Sequence, residues 1–427
     1  MVASATPGLD PASIVLPNGV RVLAVRTRTT PAMTININLD AGSMHDPEAA
    51  PGLAYLFSRV VDRGTDARSV EAISEDLDLR GVSLRVAVTR HVLSLSCDCL
   101  VEDFGEILSL LADVIRHAAF PEPEIVTRKG EVLTAIRQDE DSPAAVALEQ
   151  LMMLLYGRDH PFGRRAKGSP GSIEAIDRDL LLMFHRGRIF PSGLSVVIVG
   201  DVETEKALES VSGAFGDWRG EPGTSSALDP PPAAAERQLV VTPMMNKSQA
   251  DIAYGFTTVA RDDPAYYAYW LMANILGQYG MGGRLGHSIR ERQGMAYYAF
   301  CGFEAGRIAG PLIVRAGVSA ANVDRALASI DSEVTGLAAD GVSDDELADS
   351  KRYLIGSLPR TLETNAGIAA FLQNVQQFDL GLDYDQRLPA QIGRVSRDEV
   401  NAAARTTLDV GRAAVTVAGP YEGDGNT

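Results

Sequence analysis

The stretch Met281–Tyr298, MGGRLGHSIRERQGMAYY, reads as a glycine-rich turn, one helix and then a strand. Leu285 and Ile289 stand four apart, as on one face of a helix. Gly294 suits the position just past a helix end, where a left-handed backbone favours glycine. Met295 to Phe300 turns apolar and aromatic, as a strand does. Arg290 then falls in the last helical turn and Tyr297 near the start of the strand. A helix end and a strand start joined by a glycine can bring the two side chains to one point. Together they offer a guanidinium fork and a phenol, donors suited to a carbonyl oxygen or an oxyanion. The same residues also fit a plainer reading, in which Arg290 is a solvated helix residue and Tyr297 an aromatic at the core edge.

Outside this stretch, 427 residues are too many for one ordinary core and predict two or more domains. Apolar residues make up 45% and charged residues 22%, the balance of a globular protein. A net charge of −17 argues against nucleic acid or an anionic membrane as partner. No apolar run approaches the roughly 18 residues of a membrane span. The first residues, MVASATPGLDP, have neither a basic segment nor an apolar one, so no export signal is expected there. Cys97, Cys99 and Cys301 make no disulfide framework. Cys97 and Cys99 would point the same way from one strand about 6.6 Å apart, a poor disulfide geometry. A cytoplasmic location is expected.

Along the chain, Ile14–Val25 reads as a hairpin around Pro17-Asn18-Gly19, and Thr34–Leu39 and Leu84–Leu100 alternate as strands. Helical patterns cover Leu53–Val61, Phe104–His117, Pro123–Gln138, Ala145–Tyr156 and Leu180–Arg188. Leu194–Asp201, LSVVIVGD, is a buried strand followed by a helix over Glu203–Phe215. Gly220–Ala235, GEPGTSSALDPPPAAA, is a spacer that cannot bury a core. After it the order repeats: a strand over Ala250–Thr257, a helix over Pro264–Leu276, and strands within Ala299–Val318. Helices follow over Val323–Leu337, Asp344–Leu358 (ended by Pro359) and Ala366–Phe378, before a last strand over Ala413–Gly419. The segment from Pro123 resembles that from Asp345, and LSVVIVGDV from Leu194 resembles AAVTVAGPY from Ala413. This points to a duplication: an N-terminal α+β half over residues 1–219, a Pro/Ala-rich linker over 220–235 and a C-terminal α+β half over 236–427.

These features together resemble the pitrilysin/insulinase zinc metallopeptidases, and most of all the short two-chain bacterial branch related to mitochondrial processing peptidase. The resemblance rests on NGVRVLAV, AGSMHDPEAAPGLAYLFSRVVDRGT, YGRDHPFGRR, LSVVIVGDV and GGRLGHSIRERQGMAYYAF, in that order, and spans nearly the whole chain. It implies two homologous α+β halves, each an antiparallel sheet covered by helices. Members that cut peptides carry His-x-x-Glu-His on a helix. Its two histidines share one helical face and bind Zn²⁺, its glutamate activates the metal-bound water, and a downstream carboxylate completes the site.

This chain departs at each of those positions. Tyr55 stands at the first histidine, Ser58 at the glutamate, Arg59 at the second histidine and Ala135 at the downstream carboxylate. Arg59 would put a permanent cation where the ion belongs. Glu131, one turn before Ala135, cannot restore the site alone, and none of His45, His91, His117, His160, His185 and His287 forms an i, i+4 pair. His160, before Pro161, reads as a turn residue and His287 as a helix-surface residue.

The chain does keep the family's Arg/Tyr pair, which in two-chain members comes from the subunit without zinc. Arg290 precedes Tyr297 by the family's seven residues. The resemblance therefore implies a non-zinc-binding subunit of a heterodimeric endopeptidase acting on unfolded peptides. The partner would carry His-x-x-Glu-His and the zinc, and this chain would hold no metal. Arg290 and Tyr297 would steady the substrate and the oxyanion in trans, while Gly277–Gly283 would let a substrate or partner backbone come close. The alternative is a catalytically inactive peptide-binding or scaffold protein on the same fold.

Overall fold

The computed structural model describes residues 8–28, 30–221, 228–278 and 283–423. Before the linker the elements run β1 (Ala12–Val15), β2 (Arg21–Arg26), β3 (Ala32–Leu39), α1 (Leu53–Val60), α2 (Val70–Leu79), β4 (Arg85–Val88) and β5 (Leu93–Leu100). They continue with α3 (Phe104–Arg116), α4 (Glu122–Glu140), α5 (Pro143–Tyr156), α6 (Pro170–Ala175), α7 (Arg178–Arg188), β6 (Leu194–Gly200) and α8 (Thr204–Phe215). After it come β7 (Gln238–Pro243), β8 (Ala250–Thr257), α9 (Tyr266–Ala273), β9 (Ala296–Phe303) and β10 (Pro311–Val318). The chain closes with α10 (Val323–Asp340), α11 (Asp344–Thr361), α12 (Asn365–Gln377), α13 (Tyr384–Arg394), α14 (Arg397–Thr407) and β11 (Ala414–Gly419). Two π-helical stretches, Asn274–Gln278 and Gly286–Arg292, lie between α9 and β9. Among the described residues no helix is long and apolar enough to cross a membrane.

The elements gather into two units. One holds Met1–Thr134, Arg165–Ala227 and Leu358–Arg387; the other holds Ala135–Arg164, Leu228–Ser357 and Leu388–Thr427. The first sheet has the order β1-β2-β6-β3-β5-β4 and the second β7-β11-β8-β10-β9. From β2 and β7 onward the orders match strand for strand, as two homologous halves require. β6 and β11 have every residue buried and are apolar but for Ser195 and Thr416, which fits central strands covered on both faces. The sheets depart from a purely antiparallel expectation at one pair each, β2 with β6 and β7 with β11, which run parallel. The remaining pairs are antiparallel, including the hairpin of β1 with β2 around Pro17–Gly19.

Each sheet takes a covering helix from the opposite half of the sequence. In the first unit α12 lays Ile368, Ala369 and Leu372 on Leu23, Val25, Val197 and Val199. The buried Gln373 anchors it, donating to the carbonyl of Asn36 at 2.7 Å and accepting from the Ser195 hydroxyl at 3.0 Å. In the second unit α5 packs on β8 and β11, where the Thr416 hydroxyl donates to the Ala147 carbonyl at 2.7 Å. Gly255 allows this approach, because a Cβ there would lie 3.1 Å from the Leu151 side chain.

Two expectations need correction. The helix expected to end before Pro359 runs on to Thr361, since a proline in the last turn removes one hydrogen bond where the ladder is already ending. The helix over Pro264–Leu276 is α-helical only over Tyr266–Ala273 before it widens into the π-helical stretch.

Candidate functional site

Arg290 lies in the π-helical stretch Gly286–Arg292, whose wider turns replace the α-helix that the Leu285/Ile289 spacing predicts. Leu285 and Ile289 are both fully buried, so the face was read correctly and only the winding differs. Gly294 follows with φ +61°. The Met295 N–H reaches back to the Ile289 carbonyl at 3.1 Å, closing the helix end. β9 begins at Ala296, which makes Tyr297 its second residue. Tyr297 is 82% exposed, far more than a core-edge aromatic would be.

The segment is held on both sides while Arg290 is left out. Before it, Arg284 is gripped by the Glu346 carboxylate at 2.7 and 2.9 Å and by the Gly341 carbonyl at 2.7 Å. After it, Arg292 meets Glu333 at 3.4 Å and Gln293 donates to the Ser329 hydroxyl at 3.0 Å, both partners on α10. Burial opposes charge on Glu346, but the hydrogen bonds from Arg284 and Ser343 outweigh it and hold the carboxyl below its usual value. Arg290 is exposed and, among the described residues, has no ion-pair partner. One strand residue on, Tyr298 points to the opposite face, where its phenol donates to the buried Asp251 carboxylate across Gly317.

The close backbone approach expected at Gly277–Gly283 is internal at its two ends. A Cβ on Gly277 would sit 2.9 Å from the Cys301 nitrogen of β9, and one on Gly283, at φ +84°, would sit 2.8 Å from the Gly277 Cα. Residues 279–282 of that turn lie outside the described residues.

The positions aligned with the zinc motif lie on α1. Its start is fixed by Asp46, whose carboxylate accepts from the Gly52 and Ala54 N–H groups at 2.7 Å each. Tyr55 is half-buried with the Lys167 ammonium 5.9 Å from its ring centre. The buried Ser58 donates its hydroxyl to the Tyr55 carbonyl at 2.7 Å, which occupies the group standing at the base position. Arg59 is exposed, and Ala135 is a half-buried residue of α4. A phenol, an occupied hydroxyl, a guanidinium and a methyl group do not fit a zinc ion. Among the described residues no three His, Cys, Asp or Glu side chains are grouped so as to hold a metal.

Arginine–carboxylate pairs occupy this region. Arg128 binds Glu131 and also Glu124 at 3.3 Å, and Arg63 binds Asp62 at 3.2 Å. Burial pushes the Asp62 carboxyl up from its ordinary value, and the pull of Arg63, Arg128 and Arg59 only partly offsets this. The sequence gives little sign of Asp62, a single polar residue after an apolar helix. Glu131 could be noticed there only as a lone carboxylate.

The remaining candidates are structural. Cys97 and Cys99 share the buried face of β5, where burial pushes each thiol up to about 12, and all three cysteines are free. His160 accepts from the Phe162 N–H at 3.0 Å inside its turn, and His287 is an exposed residue paired with Glu291 at 2.8 Å.

Family models and known proteins agree with this geometry. The model described as insulinase (peptidase family M16) matches residues 21–165, and that described as the peptidase M16 inactive domain matches residues 175–354. The uncharacterised zinc protease YmxG of Bacillus subtilis is 24% identical over 91% of this chain and 93% of its own length. The probable mitochondrial-processing peptidase subunit beta of Arabidopsis thaliana is 25% identical over 95% of this chain and 78% of its own. The crystal structure of a peptidase M16 inactive domain from Pseudomonas fluorescens superposes with a TM-score of 0.89 at 26% identity, covering 96% of this chain and 98% of the other. A protease from Helicobacter pylori shares the fold at a TM-score of 0.90 and 16% identity, over 97% of this chain and 100% of the other. With both family models matched in order along a two-sheet fold of this kind, the chain belongs to the insulinase family of peptidases, peptidase family M16.

Proposed function

We propose that this chain is the subunit without zinc ligands in a two-chain cytoplasmic zinc endopeptidase that cleaves unfolded peptides. A homologous partner bearing His-x-x-Glu-His would supply the metal and the chemistry of its activated water. This chain would supply Arg290 and Tyr297, two donors for the scissile carbonyl oxygen whose hydrogen bonds strengthen as negative charge grows on it. A substrate backbone would be held in extended form, as peptides added to a sheet edge are. The expected halves, residues 1–219 and 236–427, would form one side of the chamber.

The observation that carries the reading is a contrast between two helices. On α1 the positions aligned with the zinc motif hold an occupied hydroxyl and a guanidinium. On the helix before β9, Arg290 is exposed between engaged neighbours, and Tyr297, the second residue of β9, is exposed as well. Tagged pull-down from the host, with mass spectrometry and metal analysis of what is recovered, tests it. A stoichiometric partner with an intact zinc motif, and chelator-sensitive peptide cleavage only by the pair, is the expected result. Stoichiometric zinc and cleavage by the isolated chain would overturn it. Recovery of the chain alone, or within a membrane complex, would favour the inactive binding or scaffold reading.

A further inference from the structure

Tyr297 owes its exposure to a break in the pairing of β9 with β10. Ala299 stands opposite Ala316 and Tyr298 opposite Gly317, but the next residue of β10, Val318, takes Ala296. Where β10 advances one residue β9 advances two, and Tyr297 is left without an opposite number. This is a β-bulge, which re-aims the extra residue. Under unbroken pairing Tyr297 would oppose Val318, on the face where Cys301, Ala316 and Val318 are buried. The bulge is what puts this phenol outside.

The row beside the bulge decides its place. Gly317 is opposite Tyr298 on one side and Asp251 on the other, so the three residues form one row across β9, β10 and β8. Opposed residues share a face, and glycine leaves the middle of the row empty. The Tyr298 ring lies there: a Cβ on Gly317 would fall 2.6 Å from it. The phenol thereby crosses a whole strand and donates to the buried Asp251 carboxylate. Along the same face the Phe300 ring centre is 5.7 Å from that of Tyr298. The Arg315 guanidinium stands 6.0 Å from the Phe300 ring centre and donates to the Ala144 carbonyl of α5 at 3.1 Å. Burial, and then the bond to Asp251, pushes the Tyr298 phenol above its ordinary value, so it remains a donor at neutral pH.

Only one register satisfies this row. A slip of β9 by one residue would carry Tyr298 to the other face, because strand side chains alternate. A slip by two would set Ala296 or Phe300 over Gly317, and neither side chain has a donor. Either slip would leave the Asp251 carboxylate buried without the phenol.

We propose that Tyr298, Gly317 and Asp251 are positioning residues for Tyr297: by pinning the register of β9 they set the bulge at residue 297 and turn its phenol out of the buried face. The catalytic consequence rests on the role proposed for Tyr297 above, whereas the placement of the bulge does not.

Fluorine NMR of the full chain labelled with fluorotyrosine tests the placement without a partner subunit. The Tyr297 signal is the one lost in Tyr297→Phe, and its shift between light and heavy water reports exposure. It should be single and solvent-exposed in the unaltered chain. In Tyr298→Phe it should divide or lose that solvent shift. Tyr298→Phe strips a buried carboxylate of its donor, so Tyr298→Phe/Asp251→Leu, which removes both partners, is the companion variant and should show the same change. An unchanged Tyr297 signal in the folded double variant would overturn the proposal. In the assembled two-chain enzyme Tyr298→Phe should slow turnover by about 10–100-fold, the cost of misplacing a contact by about an ångström. Added to Tyr297→Phe it should slow turnover no further, since both changes act through one phenol. Losses that multiply would overturn the positioning role and leave Tyr298 a residue of general stability. A displaced Tyr297 signal together with full turnover in Tyr297→Phe would remove the role proposed for Tyr297 and leave the register pin standing.

Discussion

The Gly294 N–H donates to the Arg290 carbonyl over 3.1 Å, so the glycine that ends the helix is bonded to the residue that carries the guanidinium. Gly294 reaches this geometry at φ +61°, and a Cβ there would meet nothing within 4 Å. Substitution therefore carries a backbone cost and no clash. Gly294→Ala should lower stability by about 1 kcal/mol, and Gly294→Asn by less, because asparagine tolerates the left-handed region. Urea unfolding of both variants checks the order, and a larger loss for asparagine would contradict it.

Arg290 and Tyr297 are exposed and, among the described residues, without an ion-pair partner for Arg290. Arg290→Ala and Tyr297→Phe should each change stability by under about 0.5 kcal/mol. In the assembled two-chain enzyme each should slow turnover by roughly 10²–10³. Thermal melts of the single chain and single-turnover cleavage by the pair separate the two effects. Full activity in either variant would remove that residue from the proposed oxyanion contacts.

Asp62 gives a pH signature. Its carboxyl is pushed up by burial, so the fold prefers the protonated form. Its favourable contribution is present below the ordinary carboxylate value and is lost as pH rises through the raised one. Asp62→Asn, which imitates the protonated form, should therefore raise the melting temperature at pH 7. The gain should shrink as pH is lowered toward 3. A destabilised variant at pH 7 would mean that the charge pairing with Arg63 outweighs burial.

Glu346 should behave in the opposite sense. Its carboxyl is held low, so its contribution is present above the ordinary value and is lost as pH falls through the depressed one. Glu346→Gln removes a two-point, charge-assisted grip on Arg284, with side chains 31% and 20% exposed, and should cost about 1.5–3 kcal/mol at pH 7. Equilibrium unfolding at pH 7 and pH 3 should show that loss narrowing in acid.

Much of the fold is readable because burial imposes simple patterns. LSVVIVG and AVTVAG had to be central strands, and Leu285 with Ile289 had to face inward. The π winding around Arg290 was not readable, since one extra residue per turn leaves the same inward pair. α13 hides behind Pro389 and a polar composition. α14 went unread as well, although Ser396 and Glu399 bond each other's backbone N–H groups at its start. The Arg290/Tyr297 setting could be read from local chemistry, whereas Tyr55, Ser58, Arg59 and Ala135 gain meaning only beside the family motif. Tyr298 and Asp251 lie far apart in sequence, and no spacing rule joins them.

The helices that cross over to cover the opposite sheet set a timetable for synthesis. β6 completes the first sheet's central strands at Gly200, but α12 ends only at Gln377. At roughly 5–20 residues per second, Leu23, Val25, Val197 and Val199 await their cover for on the order of 10–35 s. Through that interval the nascent chain presents a bare apolar sheet face of the kind that chaperones hold. Yield in the cell should therefore depend on elongation speed and chaperone supply more than on the stability of the finished molecule.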